Sequence, residues 1–168
     1  MAETKITYSA DTALAITLTA PLTTGLWRSS ANFDNSSTLY MDVLVGGMIG
    51  SLGTNWVAGD SVDIYAMANY SDTTTDVGGA RDAAYALGDG DQTDQTDFIA
   101  NNIGPLLFSI FPHDTETTNM DYHWGPVSIA AAFGGTMPKD FHILIHNNAS
   151  GSVDSGNLNL IGVTYTSA

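Results

Sequence analysis

Glu, Lys, Arg and Gln together supply eight of the 168 residues, whereas Thr, Ser, Asn and Gly supply 62. The first group covers exposed helix faces, and the second fills strands, turns and loops. A chain this short of surface helix formers has to cover its core with sheet and loop. The acids point the same way: 16 of 18 are Asp, which competes for its own backbone and prefers turns and caps. The composition predicts an all-β protein.

A length of 168 residues suits one domain spanning 1–168, and neither an internal repeat nor a Pro- or Ser-rich linker divides it. An apolar content of 43% supports one continuous core. No stretch approaches the roughly 20 apolar residues of a membrane helix. The opening segment has Lys5 followed by alternating apolar residues and threonines, which is not the pattern of a signal peptide. The absence of cysteine excludes disulfide and thiolate chemistry. A net charge of −14, with only Lys5, Arg28, Arg81 and Lys139 as cations, excludes a nucleic-acid binder, which needs a cationic face to displace phosphate counterions. The acidic excess reads as a solvated surface, or as complementary to a partner with a basic face or to divalent cations between acidic edges.

Period-two alternation marks the strands. Thr12–Thr19 sets Leu14, Ile16 and Leu18 on one face. Leu39–Val45 groups Leu39, Met41, Val43 and Val45. Val62–Tyr70 opposes Val62, Ile64, Ala66 and Ala68 to Asp63, Tyr65, Met67 and Asn69. Further strands are expected at Leu106–Phe111, Tyr122–Ile129, Phe141–Asn147 and Leu158–Tyr165, with a weaker one at Gly25–Asn32. Pro112–Asp121 reads as a long hairpin connection, and Gly46, Gly47 and Gly50 as a bulge or turn. Residues 71–103 show no alternation and are expected to form a long irregular excursion. Within it Ala80–Leu87 suits two helical turns stopped by Gly88.

Each chemical constellation meets a plainer reading. Asp89, Asp91, Asp94 and Asp97 crowd one polar run, but a helix-flanked calcium loop needs Gly at its sixth position and an acid at its twelfth; counted from Asp89 these are Asp94 and Ala100. A solvated acidic loop fits better. His142 and His146 have the spacing of paired zinc ligands on a helix, yet they alternate with Phe141, Ile143 and Ile145. On a strand they stand about 13 Å apart, too far to share an ion. His113, Asp114 and Glu116, with Asp121 and His123, lack a further partner. Ser128 sits in no nucleophile elbow, and sixteen aspartates make a chance carboxylate pair uninformative. No catalytic, cofactor or metal residue is therefore assigned, and no enzyme is expected. Trp27, Trp56 and Trp124, with seven tyrosines, fit either core packing or a sugar-stacking platform, and Trp56 is the one expected to be accessible.

The run Tyr122–Pro138 contains Gly-Pro-x-Ser-x-Ala-x-Ala-Phe-Gly-Gly-x-x-Pro, followed by the strand and Asn-rich turn of 141–151. It resembles a segment of small virion proteins of tailed bacteriophages. Asp60–Asp72, an opening strand and a closing Gly-Val-Thr-Tyr are similar in kind, so that about half the chain is covered. The resemblance implies an antiparallel, jelly-roll-like β-sandwich without catalysis. It implies a decoration or cement protein on the capsid exterior, made in the host cytoplasm, bound to the major capsid protein and assembled as a dimer or trimer. Residues 1–11 and 71–103 are the expected arms. The alternative is a carbohydrate-binding module of a virion fibre or surface protein.

Overall fold

The computed structural model describes residues 4–16, 18, 21–52, 56–69, 90–92, 104–112 and 120–167. Its strands are β1 (Thr4–Tyr8), β2 (Thr12–Leu14), β3 (Trp27–Ser29), β4 (Phe33–Asp34), β5 (Asp42–Leu52), β6 (Ser61–Asn69), β7 (Gly90–Gln92), β8 (Leu106–Ile110), β9 (Asp121–Ser128), β10 (Asp140–Asn148) and β11 (Ser152–Ser167). One short helix, α1 (Ile129–Ala132), follows β9.

The pairing is nested. β1 and β2 pair with β11, β3 and β4 with β10, β5 with β9, and β6 with β8, all antiparallel. The chain thus folds back on itself like one long ribbon. The two central pairings, β11 with β5 and β10 with β6, join the ribbon's layers into sheets. One sheet runs β1-β11-β5-β9, with β2 also on β11. The other runs β7-β3-β10-β6-β8, with β4 also on β10. Successive halves of the ribbon alternate between sheets, which is the winding of a jelly roll. The protein is an all-β antiparallel sandwich.

The inner faces follow the alternation seen in the sequence. Val62, Ile64 and Ala66 of β6, Phe141, Ile143 and Ile145 of β10, Val43 and Val45 of β5, and Leu158 and Leu160 of β11 are all buried in one cluster. Stripping each such side chain of water contributes roughly 1.5–3 kcal/mol, which sets this register against a one-residue slip.

Several expectations are corrected. β2 ends at Leu14, where the Ala15 carbonyl turns to accept the Ala31 N–H between β3 and β4. Ile16 and Leu18 still pack on the core. Leu39 and Met41 are not on the inner face with Val43 and Val45; both are exposed before β5 begins. Of the bulge or turn expected at Gly46, Gly47 and Gly50, the bulge is present as a register shift against β9 between Val45 and Gly47, and the turn is not, since β5 runs through all three. Gly47 is required there: a Cβ would strike the Asn157 carbonyl of β11. β8 and β9 lie in different sheets and do not pair with each other, so they form no hairpin. Thr4–Tyr8 is no free arm but an edge strand on its own sheet. Ile129 opens α1, not the end of β9. Ala80–Leu87 lies outside the described residues, as does the excursion 71–103 apart from β7.

Candidate functional site

All three tryptophans are buried, two of them between the sheets. Trp124 and Trp56 belong to the main core, and Trp27 packs with Leu144, Tyr65 and Met67 on the other face of β10. Trp56, expected to be accessible, is 3% exposed, because Gly151 leaves room for its ring; a Cβ there would lie 2.6 Å from Cε2. A tryptophan stacking platform is therefore not formed.

His142 and His146 share the face of β10 opposite Phe141, Ile143 and Ile145, as the alternation predicts. The buried His142 ring places Nδ1 3.0 Å from the Ser30 carbonyl. His146 stacks on Trp27, with centroids 4.0 Å apart and planes 9° from parallel. Burial holds the His146 pKa below the usual imidazole value, against the opposing pull of Asp63, its register partner on β6. Burial, with Asp63 nearby, also raises Tyr65. Both histidines serve packing, and among the described residues no three His, Asp or Glu side chains gather as a metal site. His113, Asp114 and Glu116 lie outside the described residues, as do Asp89, Asp94 and Asp97.

Ser128 has a structural task. It caps α1, accepting the Ala131 N–H at 2.9 Å, while its hydroxyl donates to Asp42 Oδ2 at 2.7 Å. Asp42 Oδ1 accepts the Ala130 N–H at 2.9 Å. Two acceptors thus meet the orphan donors of the first turn. Gly134 and Gly135, both at positive φ, end the helix through bonds to the Ala131 and Ala130 carbonyls. The Gly-Pro-x-Ser-x-Ala-x-Ala-Phe-Gly-Gly segment is therefore a strand, a doubly capped turn of helix and a glycine exit.

On the outer face of the first sheet lies an open groove of about 420 Å³. Gly46, Gly47 and Gly125 line it where side chains are missing, and Asn157, Asn159 and Ile161 border it. Farther along, Gly50 lies beneath two carboxylates: a Cβ on it would be 3.2 Å from Asp121 Oδ1 and 3.5 Å from Asp154 Oδ1. This pair stands outside the groove, on open sheet, without the enclosure that sets two carboxylates to different acidities.

What remains is exposed apolar surface at the rims. Among the described residues β8 and β9 are edge strands of the two sheets on one side of the sandwich, and the Phe108 ring meets Trp124 across them at 6.3 Å. Leu106, Phe108, Phe111 and Met120 are exposed there, Phe111 at 71%. Asp63 of β6 accepts the Ser109 hydroxyl at 2.7 Å, and Asp121 follows Met120, so this rim is flanked by acids. At another place Asn35, itself buried, ties a loop with both ends of its amide: Oδ1 accepts the Tyr40 N–H, and Nδ2 donates to the Tyr40 carbonyl. The loop holds Leu39 at φ 52 and 69% exposed. A leucine in the left-handed region costs about 1–2 kcal/mol, a strain borne here to point an apolar side chain at solvent. Such knobs were not legible, since alternation assigns every apolar residue to a core. No protein-family model matches this chain, and no curated protein sequence matches it either.

Proposed function

We propose that the chain is a structural protein of a bacteriophage virion, a decoration or cement protein that binds the major capsid protein on the capsid exterior. The observation that carries this reading is the acid-flanked apolar rim of Leu106, Phe108, Phe111 and Met120 at sheet edges that no other strand covers among the described residues. Apolar residues on strand edges gain most when covered by another chain, and flanking acids steer a basic face toward them. The sequence resemblance at Tyr122–Pro138 gives the partner its class. A charge of −14 favours the outer surface, away from packaged DNA. Bridging capsomers from outside, the protein resists the pressure of the genome through buried contact area alone.

Particles assembled without this protein should lose their genome at lower temperature or lower salt, and adding it back should restore them. Add-back of Phe111→Ser should restore them less well. Particles of unchanged stability without the protein would remove the cement role. The alternative, a saccharide-binding module of a virion fibre, would have to use the Asn157–Asn159 groove instead of the buried tryptophans.

A further inference from the structure

The β1 edge is a different surface with a different partner. Among the described residues nothing pairs with the side of β1 that faces away from β11. The phase of the ladder is fixed by the Ser9 N–H, which donates to the Gly162 carbonyl opposite it. In an antiparallel pair the bonded positions alternate. Lys5 and Thr7 therefore spend their backbone groups on β11, while Thr4, Ile6 and Tyr8 direct theirs outward. The same strand exposes Ile6 at 49% and Tyr8 at 60%, and Tyr165, opposite Ile6 on β11, is half-exposed as well.

Charge selects the occupant. In a chain of −14, Thr4–Tyr8 holds one lysine and no acid, and β11 from Ser155 to its end holds no charge at all. A highly acidic molecule that meets its own copy does so with least repulsion where acids are missing. The β8 rim, flanked by Asp63 and Asp121, fails that condition. We infer that β1 pairs antiparallel with β1 of a second copy about a two-fold axis at Ile6, making one continuous sheet through both molecules.

The register follows from the same facts. Only outward-facing positions can exchange bonds, so Ile6 opposes Ile6 of the other copy and Thr4 opposes Tyr8. All five residues are used, and Lys5 faces Thr7. An axis at Lys5 would keep the phase but set the two lysines directly opposite, which is unfavourable. On the outer face Ile6, Tyr8 and Tyr165 of the two copies then form one apolar cluster. The contact is isologous, as a two-fold demands.

Sedimentation equilibrium on the whole chain tests this, since a dimer has twice the 17.7 kDa chain mass. Ile6→Pro removes an outward N–H that the protein's own sheet does not use, and Ile6→Asp sets two carboxylates against each other at the axis. Both should be monomeric with the far-UV spectrum of the parent. Ile6→Cys, the sole thiol in the chain, should oxidise to a covalent dimer, because directly opposed bonded positions lie about 5.5 Å apart at Cα. A monomeric parent at millimolar concentration, a trimer, a dimer that survives Ile6→Pro or Ile6→Asp, or a dimer that Ile6→Cys does not cross-link would each overturn the inference.

Discussion

Asn147 is the side chain whose loss should be felt most for its size. It lies on β10, fully buried, and uses its whole amide: Nδ2 donates to the Leu22 carbonyl and to the Gly151 carbonyl, each at 2.7 Å, and Oδ1 accepts the Ala149 N–H at 3.1 Å. Its backbone bonds Leu26 and Gly25 as well. One residue thus fastens β10 to the 22–26 segment and to the turn that begins β11. Asn147→Ala orphans the Gly151 carbonyl and the Ala149 N–H in a buried place and leaves the Leu22 carbonyl with the Val153 N–H alone. A buried group left unsatisfied costs about 1–3 kcal/mol, so the substitution should cost roughly 3–5 kcal/mol, a large part of the 5–15 typical of a domain. Asn147→Asp keeps the shape but turns a carboxylate toward two carbonyl oxygens, so it should cost more near neutrality than Asn147→Ala. Its folded pKa would be raised. The deficit should then be full above that pKa and shrink as pH falls toward the unfolded value of about 3.9, where protonation restores one donor. Urea unfolding followed by tryptophan fluorescence measures both, since Trp56 abuts Gly151 in the same turn. A cost below about 1 kcal/mol for Asn147→Ala, or a pH-independent deficit for Asn147→Asp, would refute the assignment.

Asp60 should contribute to acid sensitivity. Burial pushes its pKa up, but bonds from the Ser150 hydroxyl, the Val57 N–H and the Ser150 N–H outweigh this and hold it below the ordinary value. A depressed acid stabilises the fold above its unfolded pKa and loses that contribution as pH falls through the folded one. Asp60→Ala should therefore cost about 2 kcal/mol at neutral pH and flatten that part of the acid-unfolding curve. Gly151→Ala should cost about 1–3 kcal/mol and alter the near-ultraviolet tryptophan signal, since its Cβ meets a ring that cannot withdraw. Gly134→Ala, with open space but φ +74, should cost about 1–2 kcal/mol and leave that signal alone.

The strands that sequence predicts well are those whose two faces differ in solvent exposure or in neighbours. β10 is the clearest case: Phe141, Ile143 and Ile145 could only face inward together, and the two histidines were bound to the other side. β1 was illegible for the opposite reason. Lys5–Tyr8 is exposed on both faces, and β1 is a strand because β11 extends far enough to offer it an edge, which is a property of the partner. Glycines misled in the same way. Locally they weaken a strand, but Gly162 lies against the Tyr40 ring and Gly151 against Trp56, so each answers a residue distant in sequence. The polar neighbours of Trp56 pointed to solvent, whereas its burial is decided by that distant glycine.

Composition reports a single net charge, yet the β1 edge and the β8 rim differ electrostatically, and this gives them opposite responses to salt. Two copies of −14 repel at any orientation, so pairing at β1 has to overcome a long-range term that salt screens. Raising ionic strength from about 0.05 to about 0.5 M shortens the Debye length from roughly 14 to 4 Å, and the dimer should tighten. Attraction between the acid-flanked β8 rim and a basic partner is screened by the same ions, so that contact should weaken, chiefly through its association rate. Self-association and the proposed capsid binding, measured across one salt series, should therefore move in opposite directions. If both moved together, the acids would not be dividing the surface between partners, and a shared apolar contact would be the better account of both.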